Sequence, residues 1–388
     1  MSAPMQSLAS PFYGPEHEDF RATVRRFVER EIAPHADEWD EAGSFPRALY
    51  EKAGAAGLLA IGFPEEYGGI PDDPFLRLIL CEELAWGGNG GVQASLFSHT
   101  IGAPPIAAAG HAEVKRRWLP DILAGRAISA LAITEPGGGS DVAGLSTQIR
   151  REGDEYILNG RKIFITSAMR ADVFTVAARC GPEGGLSLIV VDAKSPGITR
   201  TALKKTGWWS SDTAELVFEG VRVPAINLLG EEGRGFRLIM NNFNGERVTL
   251  AATALGAAQV CYHDALAWAR LRQTFGKRLA DHQVIRHKLA DMKMRLEATR
   301  GWLEMVAWRL RQCGSKPNAE LIAEICLIKN FSTQTMQFCA DCAVQIMGGM
   351  GFMRGSRIER IYREVKVMMI GGGAEEIMKD LAARQLDF

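Results

Sequence analysis

The stretch DEYILNGRKIFITS, Asp154 to Ser167, decides the fold. Aromatic and β-branched residues sit in short alternating runs around a central Asn-Gly, the pattern of strand rather than helix. Three similar runs follow: DVFTVAAR (172–179), LSLIVVDA (186–193) and TAELVFEGVRVP (213–224). Gly, Pro and Asp turns separate them at intervals too short to hold the crossover helices of a dinucleotide-binding sheet. A β-domain of about a hundred residues is therefore expected over 129–232, and a Rossmann domain is not.

Helical periodicity dominates on both sides. EDFRATVRRFVEREIAPHADEW carries apolar residues three and four apart and is expected to stop at Pro34. FPRALYEKAGAAGLLAIG, LRLILCEELAWGG and AEVKRRWLPDILAGR extend this helical character to about residue 128. Beyond Arg234, RGFRLIMNNFNGERVTLAATALGAAQVCYHDALAWARLRQ runs helical with no proline, and further long helical stretches follow. The expected fold class is α+β and multidomain. It comprises an N-terminal helical domain (1–128), a central antiparallel β-barrel or sandwich (129–232) and a C-terminal four-helix bundle (233–388).

A hydrophobic fraction of 47 % is that of an ordinary globular chain, and a net charge of −1 leaves no footprint for nucleic acid or an anionic membrane. The longest uncharged stretch, Leu84 to Ala112, is broken by WGGNGG and Pro104-Pro105, so it reads as loop and packed helix, not a span. The opening residues lack the basic start and apolar core of a secretory signal, and the expectation is an intracellular, cytoplasmic protein. Cys339 and Cys342 form a CxxC without a second such pair or a preceding strand, so they read as buried thiols of a helix, and no metal is expected.

Glycine clusters recur at 87–91, 137–139, 348–351 and 371–373, none with P-loop or dinucleotide-fold spacing. One of them, in Thr134-Glu135-Pro136-Gly137-Gly138-Gly139-Ser140-Asp141, supplies backbone N–H groups and hydroxyls suited to a polar ligand. A separate feature lies in FRLIMNNFNGERVTL. Phe236, Ile239, Phe243, Glu246 and Leu250 fall on one helical stripe, placing a carboxylate on an apolar face. From the residues alone, this glutamate is either paired with a base such as Arg247 or chemically active.

Ala132 to Gly144, AITEPGGGSDVAG, resembles the first signature of the acyl-CoA dehydrogenases. The second is matched by Gln345, Gly348, Gly349, Gly351, Phe352, Arg360 and Glu364, with Gly355 where an acidic or amide residue is usual. GWWSSDTAELVFEGVRVP and Arg272-Gln273-Thr274-Phe275-Gly276-Lys277 lie between them in the family's order, so the resemblance spans the chain.

The resemblance implies FAD. Ile133, Thr134, Phe164 and Thr166 would lie against its ring, with Phe164 where many members carry tryptophan; taken alone, Phe164 reads as strand core. Arg272, Thr274, Phe275, Gln345 and Gly349 would complete the adenine end from a neighbouring subunit of a homotetramer, a dimer of dimers. Ala374 departs from a threonine that often contacts the cofactor. The reaction implied is α,β-dehydrogenation of an acyl-CoA, with flavin N5 taking the β-hydride and electron-transferring flavoprotein taking the electrons. Many members place the base in a Tyr-Glu-Gly-Thr run, which here aligns with Gly371 and Gly372, so the usual carboxylate is missing. A branch that includes the isovaleryl-CoA, citronellyl-CoA and long-chain enzymes carries its glutamate directly before an arginine, as in Gly245-Glu246-Arg247, and Glu246 is the expected base.

Gly372 would offer its backbone N–H to the thioester oxygen, Gly371 would leave room for a branched chain, and Ser140 and Arg247 would contact the acyl-CoA. Glu375 and Glu376 read as first-turn helix residues. Alternatives of the same fold are a flavin oxidase or monooxygenase and a non-catalytic flavoprotein.

Overall fold

The computed structural model describes residues 10–180, 184–314 and 316–388. Residues 1–9, which carry much of the expectation about a leader, lie outside them. The helical first part contains α1 (Pro15–Phe27), α2 (Ala36–Ala42), α3 (Ala48–Ala55), α4 (Pro74–Ala85), α5 (Gly90–Leu96), α6 (His99–Gly102), α7 (Pro104–Ala109) and α8 (Ala112–Leu123). The helix expected to stop at Pro34 does not. It passes from α1 through a π-helical turn at Val28–Ile32 and a 3-10 turn at Ala33–His35 into α2. Proline lacks an N–H and its ring crowds the carbonyl four residues back; a widened turn before it absorbs both, so the chain bends instead of ending.

The middle part is a single sheet of eight strands. These are β1 (Ser129–Ala132), β2 (Gln148–Glu152), β3 (Glu155–Thr166), β4 (Val173–Cys180), β5 (Leu186–Asp192), β6 (Ile198–Ala202), β7 (Thr213–Pro224) and β8 (Leu228–Leu229). Their order is β6-β7-β3-β2-β4-β5-β8, with β1 added alongside β4. The path has β6 and β8 at its ends, and within the expected antiparallel barrel or sandwich β4 pairs in parallel with both β1 and β2.

One irregularity in β3 matters for function. Tyr156, Leu158 and Lys162 are buried at alternate positions, and strict alternation would bury Phe164 next. A register shift against β7 between Lys162 and Ile165 moves Ile165 inward instead and leaves Phe164 66 % exposed at a φ of +60°. Phe164 is therefore not a core residue.

In the last part α9 (Gly235–Leu271) is followed by the two-residue strands β9 (Gln273–Thr274) and β10 (Lys277–Arg278). Then come α10 (Gln283–Cys313), α11 (Ala319–Met347), α12 (Gly349–Phe352), α13 (Arg357–Ile370) and α14 (Glu375–Gln385). Helix α11 is central and packs against α9, α10, α13 and α14, while α4 from the first part docks on α9. Cys339 and Cys342 are buried in α11, and the seven cysteines are free thiols. Gly235 lets the start of α9 approach β5, since a Cβ there would lie 2.8 Å from the Ser187 backbone. Ile239 accordingly packs in a cluster with Leu188 and Val190, whereas Val248 onward joins the bundle core. The turns between these two attachments carry Glu246. No helix among the described residues is long and apolar enough to cross a membrane.

Candidate active site

Two enclosed glutamates stand out, one in the middle part and one on α9. Glu135, in the glycine-rich turn after β1, is buried and accepts hydrogen bonds from the Ser146 backbone N–H (2.7 Å), the Ser146 hydroxyl (2.5 Å) and the Thr147 N–H (2.9 Å). Lys162, fully buried, donates to Glu135 Oε1 at 2.8 Å and to Ile133 O at 2.9 Å. Burial alone would raise the Glu135 pKa, but Lys162, Ser146 and Thr147 together hold it down to about 2. Burial pushes the Lys162 ammonium down to about 8 against the pull of Glu135. Glu135 is thus an ionised brace.

The brace shapes a surface. Ile163 N–H donates to Thr134 O at 2.9 Å, joining the turn to the β3 bulge that displays Phe164. Thr134 and Thr166, one on each of the two joined segments, are partly exposed, and Ile133 is buried. A left-handed backbone at a bulky residue costs about 1–2 kcal/mol and marks a position held for a purpose. An exposed aromatic face with hydroxyls on the adjoining segments fits a flat ring that has a polar edge. Ser140 is exposed on the same turn.

Glu246, on α9, contrasts with Glu135. It is partly open to solvent yet set deep in protein, and its carboxylate has no hydrogen-bond partner among the described residues. Burial pushes its pKa up to about 7 although Arg247 and Lys329 oppose the rise. The glycine turn after α13 comes directly against it. A Cβ built on Gly372 would lie 3.9 Å from Glu246 Oε1 and 2.5 Å from Leu250 Cδ1. Gly372 adopts a φ of +66° and Gly373 one of +115°, conformations that favour glycine. A Cβ at position 372 would clash with Leu250 and touch the Glu246 carboxylate at van der Waals distance.

Arg247 is buried and does not pair with its neighbour. Its Nε donates to Gly372 O at 3.2 Å, a residue 125 positions later, and a terminal nitrogen donates to Asn244 Oδ1 at 2.9 Å. Of the stripe around Glu246, Ile239 is buried, Phe243 and Leu250 are partly exposed and Phe236 is exposed. Phe243 packs against the cluster that holds Ile239, and Leu250 against the bundle core. A Cβ on Gly371 would meet only Val367 O, at 3.0 Å. Glu375 and Glu376 begin α14 in its first turn.

Arg272, Phe275, Gln345 and Gly349 are exposed, Phe275 at 96 %, and Thr274 contacts His282 at 3.2 Å. Leu271, at the end of α9, lies roughly 38 Å along the helix from Glu246, so residues 272–275 cannot serve the same end of the chain's own site. In the second signature, Arg360 donates to Gly88 O and Asp37, and Glu364 accepts from Gly90 N–H. Both tie α13 to the N-terminal helices. Gly355 has a φ of +94°, which accounts for glycine at that position. A surface cavity of about 510 Å³ lined by Arg295, Phe338, Tyr362 and Lys366 lies on the bundle, apart from Glu246.

Sequence reasoning missed Lys162 and Lys329. Each is a fully buried lysine beside apolar residues, and its side chain's partners come from distant segments and leave no local signal.

Across its length the chain matches the acyl-CoA dehydrogenase N-terminal domain (residues 14–126), middle domain (130–221) and C-terminal domain (233–386). It belongs to the acyl-CoA dehydrogenase family. The long-chain specific acyl-CoA dehydrogenase of Sus scrofa mitochondria is 37 % identical over 96 % of this chain and 87 % of that protein. The crystal structure of an acyl-CoA dehydrogenase from Geobacillus kaustophilus superposes with a TM-score of 0.92 at 37 % identity, covering 98 % of this chain and 100 % of the other. A glutaryl-CoA dehydrogenase of Mycobacterium smegmatis, solved in complex with FADH2, superposes with a TM-score of 0.91 at 28 % identity over 97 % of this chain and 95 % of that one.

Proposed function

We propose that this protein dehydrogenates an acyl-CoA to the trans-2-enoyl-CoA, with Glu246 removing the α-proton. The observation that carries the reading is the meeting of Glu246 with Gly372 across more than a hundred residues of chain. A carboxylate without donors, raised to about 7 by burial, is suited to take a proton near neutral pH. Beside it, the Gly372 N–H has no partner among the described residues and is available to the thioester oxygen, where charge develops as the α-proton leaves.

FAD supplies the acceptor for the β-hydride. Ile133, Thr134, Phe164 and Thr166 are the residues of this chain that would hold its ring, and the exposed Phe164 face and the two hydroxyls fit that task. Arg272, Thr274, Phe275, Gln345 and Gly349 would hold the adenine end from a second copy of the chain, a reading supported by the exposure of Arg272, Phe275, Gln345 and Gly349 and by the distance of residues 272–275 from Glu246. The proposed assembly is a pair of such dimers, with electron-transferring flavoprotein as the proposed electron acceptor. Ser140 and Arg247 serve the substrate side, Arg247 by fixing the Gly372 carbonyl. The missing side chain at Gly371 and the partly exposed Phe243 and Leu250 favour a branched, medium or long acyl chain.

The test is an anaerobic titration of the FAD-loaded protein with straight and branched acyl-CoAs of increasing length. At least one is expected to bleach the flavin and yield the 2-enoyl-CoA. A protein whose flavin no acyl-CoA reduces would overturn the reading.

A further inference from the structure

Lys329 sits in the middle of α11, fully buried, and its ammonium is held by backbone carbonyls. Its Nζ donates to Gly373 O at 2.8 Å and to Met369 O at 3.1 Å. The next residue, Asn330, donates from Nδ2 to Glu375 O at 2.9 Å. From the other side Arg247 Nε holds Gly372 O at 3.2 Å. Two buried cations on two different helices thus hold two carbonyls of the glycine turn, Gly372 O and Gly373 O, and one carbonyl of the last turn of α13, Met369 O. An isolated ammonium is costly to bury, and an apolar side chain of similar volume would fill the same space without that cost. What Lys329 adds is direction: it aims the Met369 and Gly373 carbonyls toward α11. With Arg247 fixing the carbonyl between them, a turn of three glycines has one orientation instead of several.

Resting on the roles given above to Glu246 and Gly372, we propose that Lys329 is a positioning residue of the reaction. With Arg247 it clamps the Met369–Gly373 turn so that the Gly372 N–H stays beside the Glu246 carboxylate. Its charge acts in the same direction. Arg247 and Lys329 are the cations facing Glu246, and Lys329 itself faces Glu246, Glu375, Arg247 and Cys326. Loss of the Lys329 charge removes one of the two influences that favour the Glu246 carboxylate.

The experiment follows α-proton exchange of 3-thiaoctanoyl-CoA in D₂O by NMR, using the FAD-loaded enzyme. This thioester has sulfur in place of the β-carbon and no β-hydrogen to lose, so only proton removal and oxygen stabilisation are read. Lys329→Met is expected to bind the thioester within about threefold of wild type while exchange slows about 10²-fold, within the range for loss of an oxyanion donor. The pH midpoint of exchange moves upward, and Lys329→Arg restores both in part. Should the methionine variant not fold, Lys329→Gln carries the same test through the midpoint. Exchange within threefold of wild type with an unmoved midpoint would overturn the role of Lys329 alone. If wild type does not exchange, or exchanges equally as Glu246→Gln, it is the reading of Glu246 that falls.

Discussion

Glu135 and Glu246 are both enclosed carboxylates, yet their surroundings move their proton affinities in opposite directions. Glu135 has a lysine and three further donors and stays ionised; Glu246 has none and shares its space with a glycine turn. Burial acts on both in the same sense. Hydrogen-bond satisfaction separates them, holding one down to about 2 and leaving the other near 7. The same residue type serves as a rigid support in one place and a proton acceptor in the other.

The comparison breaks most visibly at Glu135. Glu135→Leu leaves Lys162 buried without its counter-charge and is expected to cost about 3–5 kcal/mol in denaturant unfolding. The double change Glu135→Leu with Lys162→Met should recover most of that loss. At the other glutamate, Gly372→Ala forces a Cβ against Leu250 and beside Glu246 at a left-handed φ. Turnover should fall about 10²–10³-fold with smaller change in acyl-CoA binding, measured as a split between kcat and KM. Phe164→Ala tests the surface that Glu135 supports. It should weaken FAD binding roughly tenfold, as for one lost ring contact, and leave apoprotein stability within about 0.5 kcal/mol because the ring is exposed.

A further effect is a linkage. Glu246 titrates higher folded than unfolded, so the folded state binds more protons between its ordinary 4.5 and about 7. Its contribution to stability is present below that window and lost as pH rises through it. Glu246→Gln should flatten this part of the stability–pH curve.

Much of this arrangement is legible in the residues. Strand-like runs between long helical stretches define the α–β–α order, and the apolar stripe from Phe236 to Leu250 singles out Glu246 by its spacing alone. The shape of the sheet is less legible, because parallel pairing of β4 with β1 and β2 depends on chain segments that meet from a distance. Pro34 misleads because a widened turn accommodates it. Phe164 misleads because a one-residue bulge reverses which face it occupies, and no local pattern announces the bulge. The lysines escape notice for a related reason: Lys162 and Lys329 take their identity from partners 27 and 44 residues away.

The most direct measurement is the pH dependence of anaerobic flavin reduction by a reactive acyl-CoA, in wild type and Glu246→Gln. Wild type should show a rate that rises with pH through a midpoint near 7, as the carboxylate form appears. Glu246→Gln should lose about 10⁴-fold, the upper end for a general base, together with that midpoint. A glutamine variant that reduces its flavin at the wild-type rate, or keeps the same pH limb, would contradict Glu246 as the base.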